Sequence, residues 1–276
     1  MASNDPVAVV TGAGRLRGIG FATARLLARD GYTVVLTERP GAEPTPAERD
    51  AGWRGGASAA EAIVADGGRA VSVACDVTDR ADLERLVEAA CAAGDFSVLV
   101  NNAGTAGEAS SYRIHEIPPG LWRSTVDINM TSLWLAATAA VPALADSAAA
   151  NKAIVNLSSL AALRPLPHYG AYSATKAAVV AMTQQMALEL ARFGIRVNCV
   201  SPGSTDTDMI AATMARAEQR AGLAEGSVRQ VSVKRIPLRR FADPLEVAEA
   251  IRFFAGSQAS YVTGQTLQVD GGLSLA

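Results

Sequence analysis

Short apolar segments alternate with longer helix-patterned segments along this chain, and this alternation limits the possible folds more than any other feature. The apolar segments are rich in Val, Ile and Leu and lack a polar face, which predicts strands buried on both sides. Strands that alternate with helices form parallel sheets through right-handed crossovers. The pattern therefore predicts an α/β fold with a doubly wound parallel sheet, and 276 residues suit a single domain of this kind.

The predicted elements continue over residues 1–276 with no change in composition that would mark a second domain. The predicted strands are residues 7–10, 33–37, 70–75, 98–101, 153–157, 196–200 and 266–269. The predicted helices are residues 19–29, 58–65, 80–93, 120–145, 172–193 and 244–254. Residues 39–56, rich in Pro, Gly and charge, are predicted to be an insertion, and residues 204–240 a substrate-loop region. Both are expected at the carboxyl edge of the sheet, where doubly wound folds bind ligands.

Composition and charge exclude several classes of protein. Hydrophobic residues make up 49% of the chain and the formal net charge is −2, which argues against disorder and against a nucleic-acid-binding surface. The N-terminus lacks the basic and apolar regions of a signal peptide. Pro142 and Asp146 interrupt the alanine-rich residues 133–150, which favours a core helix over a membrane span. We therefore predict a soluble, cytoplasmic protein. Buried, reduced thiols are expected at Cys75, Cys91 and Cys199.

A glycine-rich segment, TGAGRLRGIG at residues 11–20, joins the first predicted strand to the first predicted helix. A helix N-terminus offers unpaired N–H groups and the positive end of the helix dipole to a phosphate. Glycines remove the Cβ atoms that would hold the phosphate away. Any tight turn between strand and helix can use glycine, but this context favours a nucleotide-binding loop.

Tyr172 and Lys176 are four residues apart on a predicted helix, so their side chains share one face. A free phenol has a pKa of about 10 and is a poor base at neutral pH. A neighbouring ammonium, aided by a cationic nicotinamide, would lower the pKa of Tyr172. Taken alone, the two residues could equally be neighbours without a shared role.

Other polar residues follow predicted strands in a way that supports a site. Ser159 comes after strand 153–157, and Asn102 comes after strand 98–101. Asn129 lies within a predicted helix, where asparagine is a poor helix former. It could be a satisfied polar core residue, but beside the others we favour a functional role.

Taken in order, these pieces resemble the short-chain dehydrogenase/reductase family in its compact single-domain form. The matching pieces are the glycine loop, Asp76-Val77, Asn101-Asn102-Ala103-Gly104, Asn129, Ser159, Tyr172 with Lys176, Pro202-Gly203, Thr207, Tyr261-Val262-Thr263-Gly264 and Val269-Asp270-Gly271-Gly272. The resemblance implies an NAD(P)-dependent oxidoreductase that transfers a hydride between nicotinamide and an alcohol or ketone.

The resemblance also implies a role for each catalytic residue. Tyr172 would be the catalytic acid/base, and Lys176 would lower its pKa and hold the nicotinamide ribose. Ser159 would hydrogen-bond the substrate oxygen. Asn129 would anchor a water that relays protons through Lys176. No metal is implied, because no cluster of His, Cys and carboxylates has ligand spacing.

The cofactor contacts that the resemblance implies run along most of the chain. Asp76 and Val77 would contact the adenine, and the segment from Pro202 to Thr207 would flank the nicotinamide carboxamide. The predicted cofactor-binding residues are Gly12, Gly14, Arg17, Gly18, Ile19, Gly20, Glu38, Arg39, Asp76, Val77, Asn102, Ala103, Gly104, Tyr172, Lys176, Pro202, Gly203, Thr205 and Thr207.

The glycine spacing departs from the family pattern. That pattern is Thr-Gly, three residues, Gly, one residue and Gly, whereas five residues separate Gly12 from Gly18 here. Either Gly14 replaces Gly12 as the tight-turn residue, or the loop bulges outward at residues 15–17. We favour the bulge, because Gly12 stands where the strand must end.

The end of the second predicted strand decides between the two dinucleotides. Glu38 stands there, and a carboxylate accepts hydrogen bonds from the 2′-hydroxyl of NAD but repels the 2′-phosphate of NADP. Against this, Arg15, Arg17 and Arg39 lie nearby, and related NADP-users often have a basic residue at positions like the last two. The arginines can turn to solvent at little cost. We therefore predict NAD, with NADP as the alternative.

Three other functions remain open. They are a 3-oxoacyl thioester reductase that uses NADPH, a dinucleotide-binding sensor without turnover, and a sugar-nucleotide epimerase or dehydratase. The complete catalytic set argues against a sensor, and the short C-terminal region leaves little room for the substrate domain of an epimerase. The predicted pocket walls, residues 106–117, 160–169 and 204–235, do not identify the small-molecule substrate.

We predict a homo-oligomer, a symmetric tetramer. The prediction follows from the family resemblance, the C-terminal strand and the apolar faces of residues 133–145 and 172–193.

Overall fold

The computed structural model describes residues 5–50 and 52–276. Two parts of the predicted regions lie outside the described residues. They are residues 1–4 at the N-terminus, where no signal peptide is predicted, and Ala51 of the predicted insertion. Seven parallel strands form one sheet. They are β1 (Pro6–Val10), β2 (Thr33–Glu38), β3 (Arg69–Ala74), β4 (Asp95–Asn101), β5 (Lys152–Leu157), β6 (Ile195–Pro202) and β7 (Thr266–Val269), in the order β3-β2-β1-β4-β5-β6-β7. The predicted doubly wound α/β fold is confirmed.

Helices cover both faces of the sheet and bury two main apolar clusters against it. They are α1 (Ile19–Arg29), α2 (Pro46–Asp50), α3 (Gly56–Ala65), α4 (Arg80–Ala93), α5 (Pro119–Val126), α6 (Ser132–Asp146), α7 (Gly170–Leu190), α8 (Asp208–Ala221), α9 (Ser227–Arg235) and α10 (Pro244–Ala255). The chain order reverses between β1 and β4, and their carboxyl ends open the crevice in which doubly wound folds bind ligands.

All seven predicted strands are present, but burial on both faces holds only for the central ones. The residues of β3 and β7, the two edge strands, are largely exposed or half-buried, because each has a neighbour on one side only. Cys75 and Cys199 are buried, as expected. The expectation for Cys91 is wrong, because this residue lies on an exposed part of α4.

The predicted helix 120–145 is divided in the structure. A π-helical turn, Asp127–Thr131, stands between α5 and α6. Pro142 does not end α6, which continues through this residue to Asp146. Within the described residues this stretch, Pro119–Asp146, is the one with the length and the mean hydropathy (1.4) of a membrane-crossing helix. Core helices of soluble proteins meet the same criterion, and Leu133 and Leu144 of this stretch are buried in the protein core.

Candidate active site

A cavity of about 860 Å³ opens at the carboxyl ends of the strands. Its floor is formed by the residues that follow β1, β4, β5 and β6, and the predicted insertion and substrate-loop region form its walls. The volume lies in the upper part of the range for small-molecule sites. Residues from both ends of the chain therefore meet in one cleft.

The glycine loop adopts the bulged alternative. Gly12 has a φ of +64°, and a Cβ there would lie 2.9 Å from Ala103 Cα, so Gly12 is the tight-turn residue. The loop then bulges at residues 15–17, where the N–H of Gly18 donates to Arg15 O at 2.9 Å. Gly14 has an ordinary φ, and a Cβ there would overlap the Glu38 carboxylate.

The start of α1 provides the cradle expected for a pyrophosphate. Gly18 is the N-cap and no side chain caps the helix, so the first N–H groups stay available. A Cβ on Gly20 would overlap the Asn102 side chain, which itself donates to Thr11 O at 2.8 Å and Gly12 O at 3.0 Å. These contacts hold the backbone in a form that fits the dinucleotide implied by the family.

Most of the predicted cofactor contacts line the cavity. The lining includes Gly12, Gly18, Ile19, Gly20, Glu38, Arg39, Asp76, Val77, Asn102, Ala103, Gly104, Ser159, Tyr172, Lys176, Pro202, Gly203, Thr205 and Thr207. Gly14 and Arg17 are absent from it. The guanidinium of Arg17 instead lies 3.7 Å from Asp208 and 4.0 Å from Asp206, so it pairs with the substrate-loop region and not with the region of Glu38.

The Glu38 carboxyl group is desolvated at the end of β2. Burial raises the pKa of Glu38, and the positive charge of Arg15 partly offsets this effect. Its Oε2 atom is buried and has no hydrogen-bond partner among the described residues. A buried carboxylate oxygen without a donor is costly, and a ribose hydroxyl would supply the missing donor. This orphaned oxygen at the end of β2 fits a dinucleotide whose ribose carries hydroxyl donors.

Tyr172 and Ser159 lie together further along the cavity. Ser159 follows β5, and its hydroxyl accepts a hydrogen bond from the N–H of Ala161 at 3.2 Å. Burial raises the pKa of Tyr172, and a hydrogen bond with the Ser159 side chain partly offsets this rise. Lys176 is not among the groups that shift the pKa of Tyr172, so its role in lowering that pKa stays a prediction.

Lys176 is directed at the main chain. Its Nζ donates to Leu157 O at 2.8 Å and lies 5.7 Å from the centroid of the Tyr172 ring. The side chain is buried, and this burial lowers the pKa of Lys176 to about 8. The ammonium thus sits under the cavity floor beside Gly104, where it can donate further bonds to a bound group.

Asn129 belongs to the π-helical turn and is buried. Its Oδ1 accepts from the N–H of Thr105 at 2.8 Å, and its Nδ2 donates to Thr105 O at 2.8 Å and to Thr175 Oγ1 at 3.3 Å. Asn129 therefore joins the loop after β4 to α7, which carries Tyr172 and Lys176. Such turns occur often at functional sites.

Several cavity residues were not among the predicted contacts. The insertion contributes Glu43, Pro44 and Thr45, and the glycine loop contributes Arg15. A nearby residue, Trp53, is buried and donates from Nε1 to Gly14 O at 2.8 Å. A tryptophan within a segment otherwise rich in Pro, Gly and charge is the sequence signal that this segment packs on the protein.

Comparison with known proteins identifies the family. A family model described as enoyl-(acyl carrier protein) reductase matches residues 12–274. The cis-4-hydroxycyclohexanecarboxylate dehydrogenase of Sinomonas cyclohexanicum is 40% identical over 269 residues, which cover 97% of this chain and 96% of the relative. The L-rhamnose 1-dehydrogenase (NAD(P)(+)) of Azotobacter vinelandii is 36% identical over 270 residues, which cover 98% of this chain and 96% of the relative.

The solved structures agree with this assignment. The crystal structure of an actinorhodin polyketide ketoreductase variant with NADPH superimposes with a TM-score of 0.86 at 32% identity, and the match covers 100% of both chains. The chain belongs to the short-chain dehydrogenase/reductase family and is an NAD(P)-dependent oxidoreductase that acts on alcohol and carbonyl groups.

Proposed function

We propose that this protein is an NAD-dependent dehydrogenase of a secondary alcohol, with Tyr172 as its catalytic acid/base. The observation that carries the proposal is the position of Tyr172 and Ser159 in the same cavity as the glycine loop. The nicotinamide, when bound, accepts or supplies the hydride exchanged with the substrate carbon. Ser159 hydrogen-bonds the substrate oxygen, and Tyr172 exchanges a proton with that same oxygen.

Lys176 and Asn129 support this proton transfer. Lys176 holds the ribose next to the nicotinamide and supplies positive charge beneath the phenol. Asn129 fixes the loop after β4 and, as the family resemblance implies, anchors a water on the proton path to Lys176. Residues of the segment from Pro202 to Thr207 line the cavity and would flank the carboxamide of a bound nicotinamide.

The far end of the cavity favours a substrate that carries an anionic group. Arg164 and Arg235 line this end, together with the apolar side chains of Leu166 and Met209. One Arg164 nitrogen donates to Leu273 O at 2.5 Å, which fixes the guanidinium beside the cavity. The fixed guanidinium of Arg164 beside an apolar wall suits an alicyclic alcohol with a carboxylate, the type of compound named for the relative from Sinomonas cyclohexanicum.

A substrate panel tests the proposed function. We expect oxidation of 4-hydroxycyclohexanecarboxylate with a kcat/KM at least about tenfold above that for cyclohexanol, because a charge-assisted hydrogen bond contributes about 1.5–3 kcal/mol. Arg164→Gln should reduce this ratio. A protein that oxidises no alcohol and reduces no ketone or 3-oxoacyl thioester with either dinucleotide would contradict the assignment.

NAD preference depends on Glu38. We expect Glu38→Ala to lower the ratio of kcat/KM with NAD to kcat/KM with NADP by about tenfold, because the carboxylate no longer accepts the ribose hydroxyl or repels a 2′-phosphate. Steady-state kinetics with both dinucleotides measure the ratio. An unchanged ratio would show that Glu38 does not contact the ribose.

We also propose a symmetric homotetramer, in keeping with the predicted cytoplasmic location. Trp134 on α6 is 55% exposed and Leu188 on α7 is 79% exposed, in faces otherwise rich in small residues. A second copy would cover these faces. Light scattering at micromolar concentration should give about four times the chain mass of 28.5 kDa. A mass near that of one chain would refute the tetramer.

A further inference from the structure

The glycine loop, which departs from the family pattern, contacts the insertion after β2. The lengthened glycine loop meets the insertion through the hydrogen bond from Trp53 Nε1 to Gly14 O, at 2.8 Å. The Arg15 guanidinium lies 4.5 Å from the centroid of the Trp53 ring, in a cation–π contact. The two additional loop residues and the insertion therefore form one packed unit beside the adenosine end of the cavity.

The insertion fixes the Arg15 guanidinium and pairs its positive charge. One guanidinium nitrogen lies 2.5 Å from Glu48 Oε2, and the other donates to Glu43 O at 2.7 Å. Glu48 is 7% exposed, and its Oε2 also accepts from the N–H of Thr45 at 2.9 Å. A buried carboxylate in this geometry neutralises the guanidinium and fixes its direction.

Arg15 borders the same part of the cavity as Glu38. The electrostatic influence of both Arg15 and Glu48 reaches the Glu38 carboxyl group, so the three groups are close neighbours. Arg39 also lines this part but is exposed, so water screens its charge. Arg15 is therefore the cation in this part of the cavity whose availability the insertion controls.

We propose that Glu48 is a specificity-determining residue that acts by positioning Arg15. By pairing with the guanidinium, Glu48 withdraws one of the two cations in this part of the cavity that could bind a 2′-phosphate, and the exposed Arg39 is the other. The insertion thereby selects NAD over NADP. The inference rests on the proposed function only in requiring that this end of the cavity binds an adenine nucleotide.

Calorimetric titration of the protein with 2′,5′-ADP and with 5′-ADP tests the proposal without turnover. We expect Glu48→Gln to raise the affinity for 2′,5′-ADP by about tenfold or more, since the freed arginine gains a charge-assisted bond. The affinity for 5′-ADP should change by less than about threefold, because the glutamine can still accept from Thr45 N–H and keep the insertion folded. Asp50→Asn is the matched control. It removes an equal charge from the same insertion, but Asp50 is exposed and lies outside the cavity lining.

Arg15→Gln separates positioning from a general change in charge. In the wild-type background it should give no gain in 2′,5′-ADP affinity, because it leaves the Glu48 carboxylate unpaired. In the Glu48→Gln background it should abolish the gain. The proposal is overturned if Glu48→Gln gives no gain, if Asp50→Asn gives the same gain, or if the gain persists without Arg15. If the wild-type protein binds neither nucleotide, the proposed function fails and the inference fails with it. If both nucleotides bind but Glu48→Gln leaves the ratio of their affinities unchanged, the inference alone is overturned.

Discussion

Tyr172→Phe is expected to lower kcat by about 10²–10⁴-fold, the usual cost of losing a general acid/base. The substitution removes only the hydroxyl that hydrogen-bonds with Ser159 and leaves the ring in the cavity wall. Dinucleotide affinity should stay within a few-fold of the wild-type value, since the glycine loop and Glu38 are untouched. Stopped-flow measurement of nicotinamide absorbance, with calorimetry for binding, gives both quantities.

Tyr169→Phe is the matched control for this prediction. The centroid of the Tyr169 ring lies 6.1 Å from that of Tyr172, and Tyr169 lines the same cavity. The substitution removes the same atom, the phenolic oxygen. A lost hydrogen bond between neutral groups costs about 1 kcal/mol, so its rate should fall by no more than about tenfold. Equal losses in the two variants, or a Tyr172→Phe rate above about a tenth of wild type, would contradict the role of Tyr172.

The sheet and the meeting of the candidate site residues could be predicted from the sequence because both depend on local patterns. Apolar runs between helical segments specify parallel strands, and residues that follow parallel strands must meet at one edge. Ser159 after β5 and Asn102 after β4 reach the cavity for this reason. The bulge of the glycine loop could also be anticipated, since the position of Gly12 was fixed by the end of β1.

The features that could not be predicted depend on contacts between distant segments. The π-helical turn forms where Asn129 bonds with Thr105, 24 residues away in sequence. Arg17 pairs with Asp206 and Asp208 across the cleft, and no local pattern specifies that choice. The rise in the pKa of Tyr172 follows from burial of the phenol, which depends on tertiary packing and not on the helical spacing of Tyr172 and Lys176.

Lys176→Met is expected to stabilise the protein while it impairs catalysis. Burial lowers the pKa of Lys176 to about 8, whereas the unfolded chain keeps the ordinary value near 10.5. Below pH 8 the ammonium is charged in both states, and the folded state bears the full cost of burying it, about 3 kcal/mol. Removal of this charge, less about 1 kcal/mol for the lost bond to Leu157 O, leaves a net gain of about 2 kcal/mol at pH 7.

The stabilisation should depend on pH in one direction. Between pH 8 and about 10.5 the folded protein loses the proton while the unfolded chain retains it, so the wild type gains stability and the advantage of the variant disappears. Melting curves should show a Tm about 4 °C or more above wild type at pH 7, and this Tm difference should narrow as the pH approaches 10.

Lys152→Met is the control for this prediction. The half-buried Lys152 donates to a main-chain oxygen, Ala145 O at 3.2 Å, but lies outside the cavity. A lower Tm for Lys176→Met at pH 7, or a difference that stays constant to pH 10, would show that the protein bears no cost for this charge. Loss of activity in a more stable variant would place Lys176 among the residues kept for catalysis, because its burial weakens the fold.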